Sequence, residues 1–580
     1  MISFRRGRFR ECIRSPLTWI LIACAVPRIV GIGWGLPASD GWDNDGVAPR
    51  DFLAGLVETF SPGHYFTYPP FHLLVLGVLT CPITAIALAH AHSLSPHDVV
   101  SEILRVPYMT SIAYIARAVS VVMSLGIIYA VAKITETIRG PQAGYCAAAA
   151  CGLDVSLTYY GHTTNLDVPY LFWASLGLLA LVRAIALNEP RRLRRFAVFA
   201  ILAIATKDQA YALFLLGVPL AIAAWLFFGL GWEREGARTV LLEALRAVGL
   251  GAVLLLLADG VVWNPIGFWA RLHFLVGPAS QDFATYAATT EGRLRVLQDA
   301  AIMYGSLWHS TFLVLAGGGL LLHLWRRNEG DRARWVAGWV PLFVAISFTL
   351  TFNCIARRVE NRFILPQSLM LCVYIGLAVH AFLFELRGHV VRLLARAALA
   401  VAFARGIFMA LAVDVNILND PRYDIERTLR AQAAPGDRVE TYGLNVYLPR
   451  FPHDLRVTRV GPEPVEHRNP MPGIEEIQDR FENLDQRRPR WVVVSECWAW
   501  RYLLSAPKIE ERGMAMPRTQ LSTRNDASAF TFFHDLVEDR RGYRMVLTSE
   551  FHSDIWPLIA IHASTACKMW LLESKDPKSQ

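Results

Sequence analysis

Charge is scarce in this sequence. Of its 580 residues only 18% are Asp, Glu, Lys or Arg, against 54% hydrophobic and a mean hydropathy of +0.33. A soluble domain normally carries about 25% charge, so an ordinary soluble globule is excluded. Lysine is nearly missing, with six against 51 arginines; that skew reads as genome composition and says nothing of function. The nine cysteines hold no C-x-x-C pair and lie beside no histidine cluster, which argues against a structural zinc site or a disulfide framework. Cys497 and Cys567 both fall in the C-terminal stretch and are able to pair, although spacing alone does not establish it. That stretch also lacks a Gly-rich phosphate loop and a nucleophile signature, so the chemistry is not placed there. The net charge of +8 raises nucleic acid as a partner. The arginines, however, sit mostly in short loops between apolar runs, as membrane orientation requires, and no nucleic acid is expected.

What the sequence does have is apolar runs close to the length that crosses about 30 Å of hydrocarbon. The run at 17–36 follows the basic stretch FRRGRFRECIR, contains Pro27 and Arg28, and lacks a small-residue cleavage site. It reads as a retained first helix with a cytoplasmic N-terminus. Further runs lie near 112–135, 142–160, 168–187, 196–206, 209–228, 240–259, 306–325, 335–353, 363–384 and 393–413. The basic loops at 188–195, 326–334 and 385–392 belong to the cytoplasmic side. Those assignments agree in parity if the apolar stretch 69–90, interrupted by Pro69, Pro70 and Pro82, lies in the interface or re-enters instead of crossing.

The expected fold is therefore mainly α and polytopic, with about 11 transmembrane helices (a range of about 10–13) in the cell (inner or plasma) membrane. Residues 1–413 form the membrane domain, with 37–111 as an outer loop carrying juxtamembrane segments. Residues 414–580 alternate helical and strand-like patterns, as in IERTLRAQAAPGDRVETYG, RWVVVSEC, GYRMVLTSEF and KMWLLES. They predict a small extracytoplasmic α/β domain.

This topology gathers four polar segments on the outer face. The first places Asp40, Asp43 and Asp45 within six residues, just past the first helix. Carboxylates there suit general-base work or a divalent ion near phosphate; a solvated acidic turn accounts for the same triplet. The second, YYGHTTNLDVPYLFW, crowds Tyr159, Tyr160, His162, Asn165 and Asp167 at the start of an apolar helix. Capping of free N–H groups explains one carboxylate, but not the whole group. The third is Lys207, beside Asp208, between apolar runs. An ammonium at that depth costs about 2.5–3.5 kcal/mol on insertion scales, so it calls for a partner or a task; a local pair with Asp208 is the plain alternative. The fourth, NCIARRVENRFILP, puts Arg357, Arg358 and Arg362 outside, against the orientation rule. Guanidinium forks gripping a phosphate supply a reason, as do salt bridges to Glu360 or contacts with lipid headgroups. None of these is specific alone. Their convergence, acids in two segments and bases in two others, suits a lipid phosphate whose acceptor must be deprotonated.

Over most of residues 15–385 the sequence resembles the GT-C glycosyltransferases of family 39 type, the branch of protein O-mannosyltransferases and lipid A aminoarabinose transferases. The likeness is carried by the acidic stretch Asp40–Asp45, by Tyr68-Pro69-Pro70-Phe71-His72, by Leu166-Asp167-Val168-Pro169, by Ala205-Thr206-Lys207 and by Arg362-Phe363-Ile364-Leu365-Pro366. It implies inverting transfer of a sugar from a polyprenyl-phosphate donor to an acceptor on a glycan, lipid or protein. An acid of the first outer loop would be the base. The family's Asp-Glu pair is replaced here by Trp42-Asp43-Asn44-Asp45, which leaves that role to Asp43 or Asp45, with Asp45 favoured. Asp167 would orient the acceptor or assist the first acid, while Lys207, Arg357, Arg358 and Arg362 would hold the donor phosphate. Tyr68, His72, His162 and Asn165 are the expected acceptor or sugar contacts. Some GT-C enzymes use a divalent cation, and whether one serves here stays open. A transporter or flippase of a polar lipid or lipid-linked sugar is the alternative, using the same charges as a pathway. Against it, no inverted repeat is visible, and the charges lie at one face instead of the midplane.

Overall fold

A computed structural model describes residues 15–43, 45–277, 284–328, 331–469, 471–503, 527–559, 561–562 and 565–576. The basic stretch expected to set the N-terminal orientation, up to Arg14, lies outside the described residues. Among those residues eight helices are long and apolar enough to cross a membrane, or nine if the helix Thr290–Trp325, bent by 111°, counts as one span.

The count falls below the expected 11 for identifiable reasons. The run at 142–160 is two short helices, Pro141–Gly152 and Val155–Gly161. Asp154 sits at the break, where its side chain accepts from Leu157 N at 2.8 Å and caps the second helix. Its other oxygen accepts from the Ser368 hydroxyl. The run at 196–206 lies in a helix of only 13 residues, Arg192–Ile204. The first helix, Pro16–Ile29, has 14.

The stretch 69–90 departs in the other direction. It forms a continuous 20-residue helix, Phe71–His90, long and apolar enough to cross, with Pro82 inside it. One proline removes one backbone bond, and helices in an apolar setting tolerate that loss. Pro69 and Pro70 precede the first turn, where a missing N–H costs nothing. The interfacial reading of this segment rested on loop parity and on its three prolines; the helix runs unbroken through Pro82, so the proline part of that argument falls.

The chain divides into two compact units. The first comprises Met1–Val30, Phe52–Val78 and Arg117–Leu411. Its helices approach through small residues. A Cβ on Gly319 would lie 1.9 Å from the Tyr374 carbonyl oxygen, and one on Gly376 would lie 2.5 Å from the Ala147 Cβ. Backbones that close admit no side chain, a common way for apolar helices to associate.

The second unit comprises Gly31–Asp51, Leu79–Ala116 and Ala412–Gln580. Its centre is a six-stranded sheet of β1 Arg438–Thr441, β2 Arg456–Gly461, β3 Ile474–Gln478, β4 Trp491–Ser495, β5 Tyr543–Ser549 and β6 Met569–Ser574, in the order β3-β2-β1-β4-β6-β5. The pairs among β1–β4 are parallel, and β6 pairs antiparallel with both β4 and β5. The central strand β4, WVVVS, is buried at every position, as a strand covered on both faces must be. Tyr442, Phe481, Trp498, Phe532 and Phe533 pack edge to face in the core beside it. The α/β tail expected from the sequence is present. Residues 31–51, expected as part of a membrane-domain loop, group with it.

Candidate functional site

In the first unit, residues far apart in sequence meet at Asp167. This carboxylate is fully buried at the N-terminus of the helix Asp167–Ala186. Lys207 Nζ donates to its Oδ1 at 2.8 Å, and Gln209 Nε2 donates to the same oxygen at 3.0 Å. The lysine reaches it because the helix Arg192–Ile204 ends and Lys207 takes an extended conformation before the chain turns helical again at Asp208. The plain expectation for Lys207, a pair with neighbouring Asp208, gives way to a partner 40 residues earlier. Asp167 Oδ2 makes no hydrogen bond, and neither do three buried polar atoms of nearby chain: Tyr160 Oη, Asn165 Nδ2 and Tyr170 Oη. Buried polar atoms are normally satisfied, and these four fall on residues 160–170 of one stretch of chain.

The arginine loop reaches the same neighbourhood. Tyr160 lies within electrostatic range of Asp167, Arg362 and Glu360 at once. Arg358 Nη2 donates to one Glu360 oxygen at 2.7 Å and Arg362 Nε to the other at 2.8 Å. The two guanidiniums share this one carboxylate, on side chains only 16% and 13% exposed. Arg357 does different work. It stands in the left-handed region with φ 51°, its Nη1 donates to the Tyr286 carbonyl at 3.0 Å, and its own carbonyl accepts from Thr285 N at 3.1 Å. It clasps two loops together.

A second buried charge group adjoins Lys207 through the chain. Asp208 lies 3.3 Å from Arg271 Nη2, and Asp259 lies 2.9 Å from it. Arg271 is fully buried beneath the Phe66 ring, at 4.6 Å from its centroid. The YPPFH stretch joins the same region where Phe71 N donates to the Ala205 carbonyl at 3.0 Å. His72 is buried there, and its Nδ1 has no hydrogen-bond partner. His162 sits otherwise: its ring nitrogens face the Thr158 and Val30 carbonyls at 2.8 and 2.6 Å, so both hold backbone.

The acidic loop belongs to the second unit. Trp42 anchors it, with the Arg422 guanidinium 4.0 Å from the ring centroid and the Tyr423 ring at 5.0 Å. Asp40 is drawn into this scaffold. It accepts from Asn445 Nδ2 at 2.9 Å and pairs with Arg50 at 3.7 Å. Asp43 is buried, at 5% exposure, and its carbonyl closes a turn onto Gly46 N. Asp45 differs from both: its backbone is left-handed, φ 59°, and its side chain is 39% exposed. His562 Nε2 lies 3.9 Å from Asp45 Oδ2. Burial lifts the nearby Tyr447 phenol above its ordinary range, Arg501 draws it down and Asp45 pushes it up. Cys497 and Cys567 form a disulfide.

Among the described residues no three His, Cys, Asp or Glu side chains come together to hold a metal ion. Of the acids offered by the sequence, Asp167 is committed to Lys207 and Gln209, and Asp40 to Asn445 and Arg50. Sequence reasoning passed over Gln209, Tyr170, Arg271, Asp259 and His562. A lone Arg271 in the apolar stretch PIGFWARLHF was a usable signal. Nothing in the tail sequence set His562 apart from its other histidines.

No protein-family model matches the chain, and no curated sequence relative is found. Among solved structures it is similar to ArnT from Cupriavidus metallidurans bound to undecaprenyl phosphate, with 13% identity and a TM-score of 0.49 over 95% of this chain and 97% of that one. It is also similar to the oligosaccharyltransferase AglB from Archaeoglobus fulgidus, solved with an inhibitory peptide and a dolichol-phosphate, with 11% identity and a TM-score of 0.47 over 93% of this chain and 80% of that one. Both are glycosyltransferases of the GT-C fold. At such scores this is a likeness of arrangement, and the functional reading rests on the residues of this chain.

Proposed function

We propose that this protein transfers a sugar from a polyprenyl-phosphate carrier to an acceptor hydroxyl or amine at the outer face of the membrane, with inversion at the anomeric carbon. One observation carries the reading: Arg358 and Arg362 share a single carboxylate, Glu360, and Tyr160 lies within electrostatic range of Arg362, of Glu360 and of the buried Asp167 that Lys207 pairs with. Two guanidiniums at the end of an apolar helix suit a phosphate on a lipid, because Arg forks match phosphate oxygens and a shielded setting strengthens the contact. These groups would stabilise the charge that develops on the departing phosphate. Lys207, tied to Asp167, would feel that charge and share its ammonium between the two.

Transfer balances without further reactants. The acceptor O–H or N–H gives its proton to a carboxylate, its heteroatom bonds to the anomeric carbon, and the carbon–oxygen bond to phosphate breaks with its electron pair on the phosphate. Asp45 is the carboxylate favoured here, since Asp40 is engaged in the scaffold and Asp43 is buried. Tyr68, His72 and Asn165 remain candidates for sugar or acceptor contacts. His162, with both nitrogens on backbone carbonyls, supports that role less well. The Cys497–Cys567 disulfide supports an extracytoplasmic tail, because such bonds persist in oxidising compartments.

The test uses undecaprenyl phosphate as probe and the full-length chain in nanodiscs. Arg358→Gln with Arg362→Gln should weaken its binding at least about tenfold, the loss of one or two charge-assisted contacts. Unchanged affinity returns the loop to a structural role. Mass comparison of envelope glycolipids and glycoproteins, with and without the chain, should reveal one product missing a sugar; identical profiles would sink the transferase reading.

A further inference from the structure

Asp45 is the acid of its loop that stays accessible, and the chain brings a histidine to it from more than 500 residues away. His562 is held from both sides. Before it, Asn416 Nδ2 donates to the Pro557 carbonyl at 3.0 Å and Asn416 Oδ1 accepts from Ile559 N at 2.9 Å. After it, Thr565 N donates to the His562 carbonyl at 3.1 Å, and Cys567 is locked to Cys497. The imidazole is itself mostly covered, with 8% of the side chain exposed, while Asp45 keeps 39%. A covered imidazole against a half-open carboxylate is the geometry in which one group orients the other and the second meets substrate.

We propose that His562 is a positioning residue for Asp45 in the transfer reaction, holding Oδ2 so that Oδ1 is presented to the acceptor's proton. This rests on the proposed transfer for its catalytic meaning; the pairing itself does not. The Nε2 to Oδ2 distance of 3.9 Å is an ion-pair distance, one side-chain adjustment from a hydrogen bond. Histidine suits the task because a modest change in its surroundings moves its charge across neutral pH. The Tyr447 phenol lies within electrostatic reach of Asp45 and of the Arg501 and Arg422 guanidiniums.

The experiment is a titration of the full-length protein carrying ring-15N histidine, with His562→Gln identifying the resonance. Asp45→Asn should lower the proton affinity of His562 about threefold or more, because it removes an adjacent negative charge, whereas Asp40→Asn should leave it unchanged. An unshifted His562 in Asp45→Asn overturns the pairing. Transfer is then measured on the same variants. His562→Gln should slow turnover at unchanged affinity for undecaprenyl phosphate and move the acidic limb of the pH–rate profile, and the double variant should be no slower than Asp45→Asn alone. Full turnover in His562→Gln, or losses that multiply in the double variant, overturns the positioning role. Thermal unfolding followed by intrinsic tryptophan fluorescence checks that each variant is folded. Should the wild-type chain transfer nothing while the titration shift is present, the transferase reading and the positioning role fall, and the pairing stands.

Discussion

The sheet of the second unit and the Asp167 centre of the first treat charge differently. In the second unit several buried charges are matched twice over. Arg487 meets both oxygens of Glu440 at 2.8 Å, Arg459 meets both oxygens of Glu476 at 3.0 and 2.6 Å, and Arg422 spans Asp420 at 2.8 and 2.6 Å. In the first unit Asp167 has one oxygen doubly engaged and the other bare, Glu360 serves two arginines, and tyrosine and asparagine atoms beside them lack partners. Bidentate pairs fix geometry and leave nothing over for a ligand. Incomplete pairing leaves capacity, at a cost in stability that has to be offset by surrounding packing. On the proposed reading, this spare capacity belongs to the donor-phosphate centre and the bidentate pairs belong to scaffold, with the Asp45 corner as the second unit's share of the chemistry.

The most forceful way to break the contrast is at Lys207. Lys207→Met should destabilise the protein by about 3–5 kcal/mol, because it leaves a buried carboxylate without its ammonium. Lys207→Met with Asp167→Asn should recover most of that loss in thermal unfolding while remaining inactive in transfer. A double variant that regains activity would make the pair a packing device only. A stable single variant would mean that Asp167 is neutral in the folded protein.

The sequence showed that this centre existed, but not how it was wired. The chain break at Lys207 and the polar turn before Asp167 were legible, since each interrupts apolar periodicity. Their mutual contact was not, because partners 40 residues apart leave no local pattern, and adjacent Asp208 was the nearer choice. Helix continuity misled in both directions. Pro82 sits inside an unbroken helix, while the apolar run across Asp154 is split by a capped carboxylate. Single-residue breakers act through the backbone bonds they remove or offer, and whether neighbours compensate is a tertiary matter. The sheet of the tail was legible from its β-branched and aromatic runs. The grouping of residues 31–51 with it was not, since Trp42 against Arg422 is a contact across some 380 positions of sequence.

In the second unit a comparable loss should come from covalent chemistry. Replacing Cys497 and Cys567 together by Ser, which opens a link across 70 residues, should cost about 2–5 kcal/mol. The loss should appear as an earlier unfolding step of the tail, seen by Trp498 fluorescence, with undecaprenyl phosphate binding kept at low temperature. Binding lost in parallel with the disulfide would show that the phosphate contacts depend on the second unit, and the division of labour drawn above would have to be abandoned.

The smallest effect is the most discriminating. Asp40 and Asp45 lie five residues apart in one loop; Asp40 contacts Asn445 and Arg50 with 19% of its side chain exposed, whereas Asp45 keeps 39% exposed. Asp40→Asn keeps a side chain of the same shape that can still accept from Asn445, and the Arg50 contact it weakens is a 3.7 Å pair between side chains 12% and 19% exposed. Weakening one charged contact between largely covered side chains costs about 1–3 kcal/mol, so Asp40→Asn should shift unfolding by no more than that and leave transfer within about threefold of wild type. Asp45→Asn should do the reverse, leaving stability intact and slowing transfer by about 10²–10⁴-fold. A catalytically dead Asp40→Asn with unchanged unfolding would move the base five residues upstream. It would also show that a fully engaged carboxylate can still serve as one, which would remove pairing completeness as a guide to chemistry in this protein.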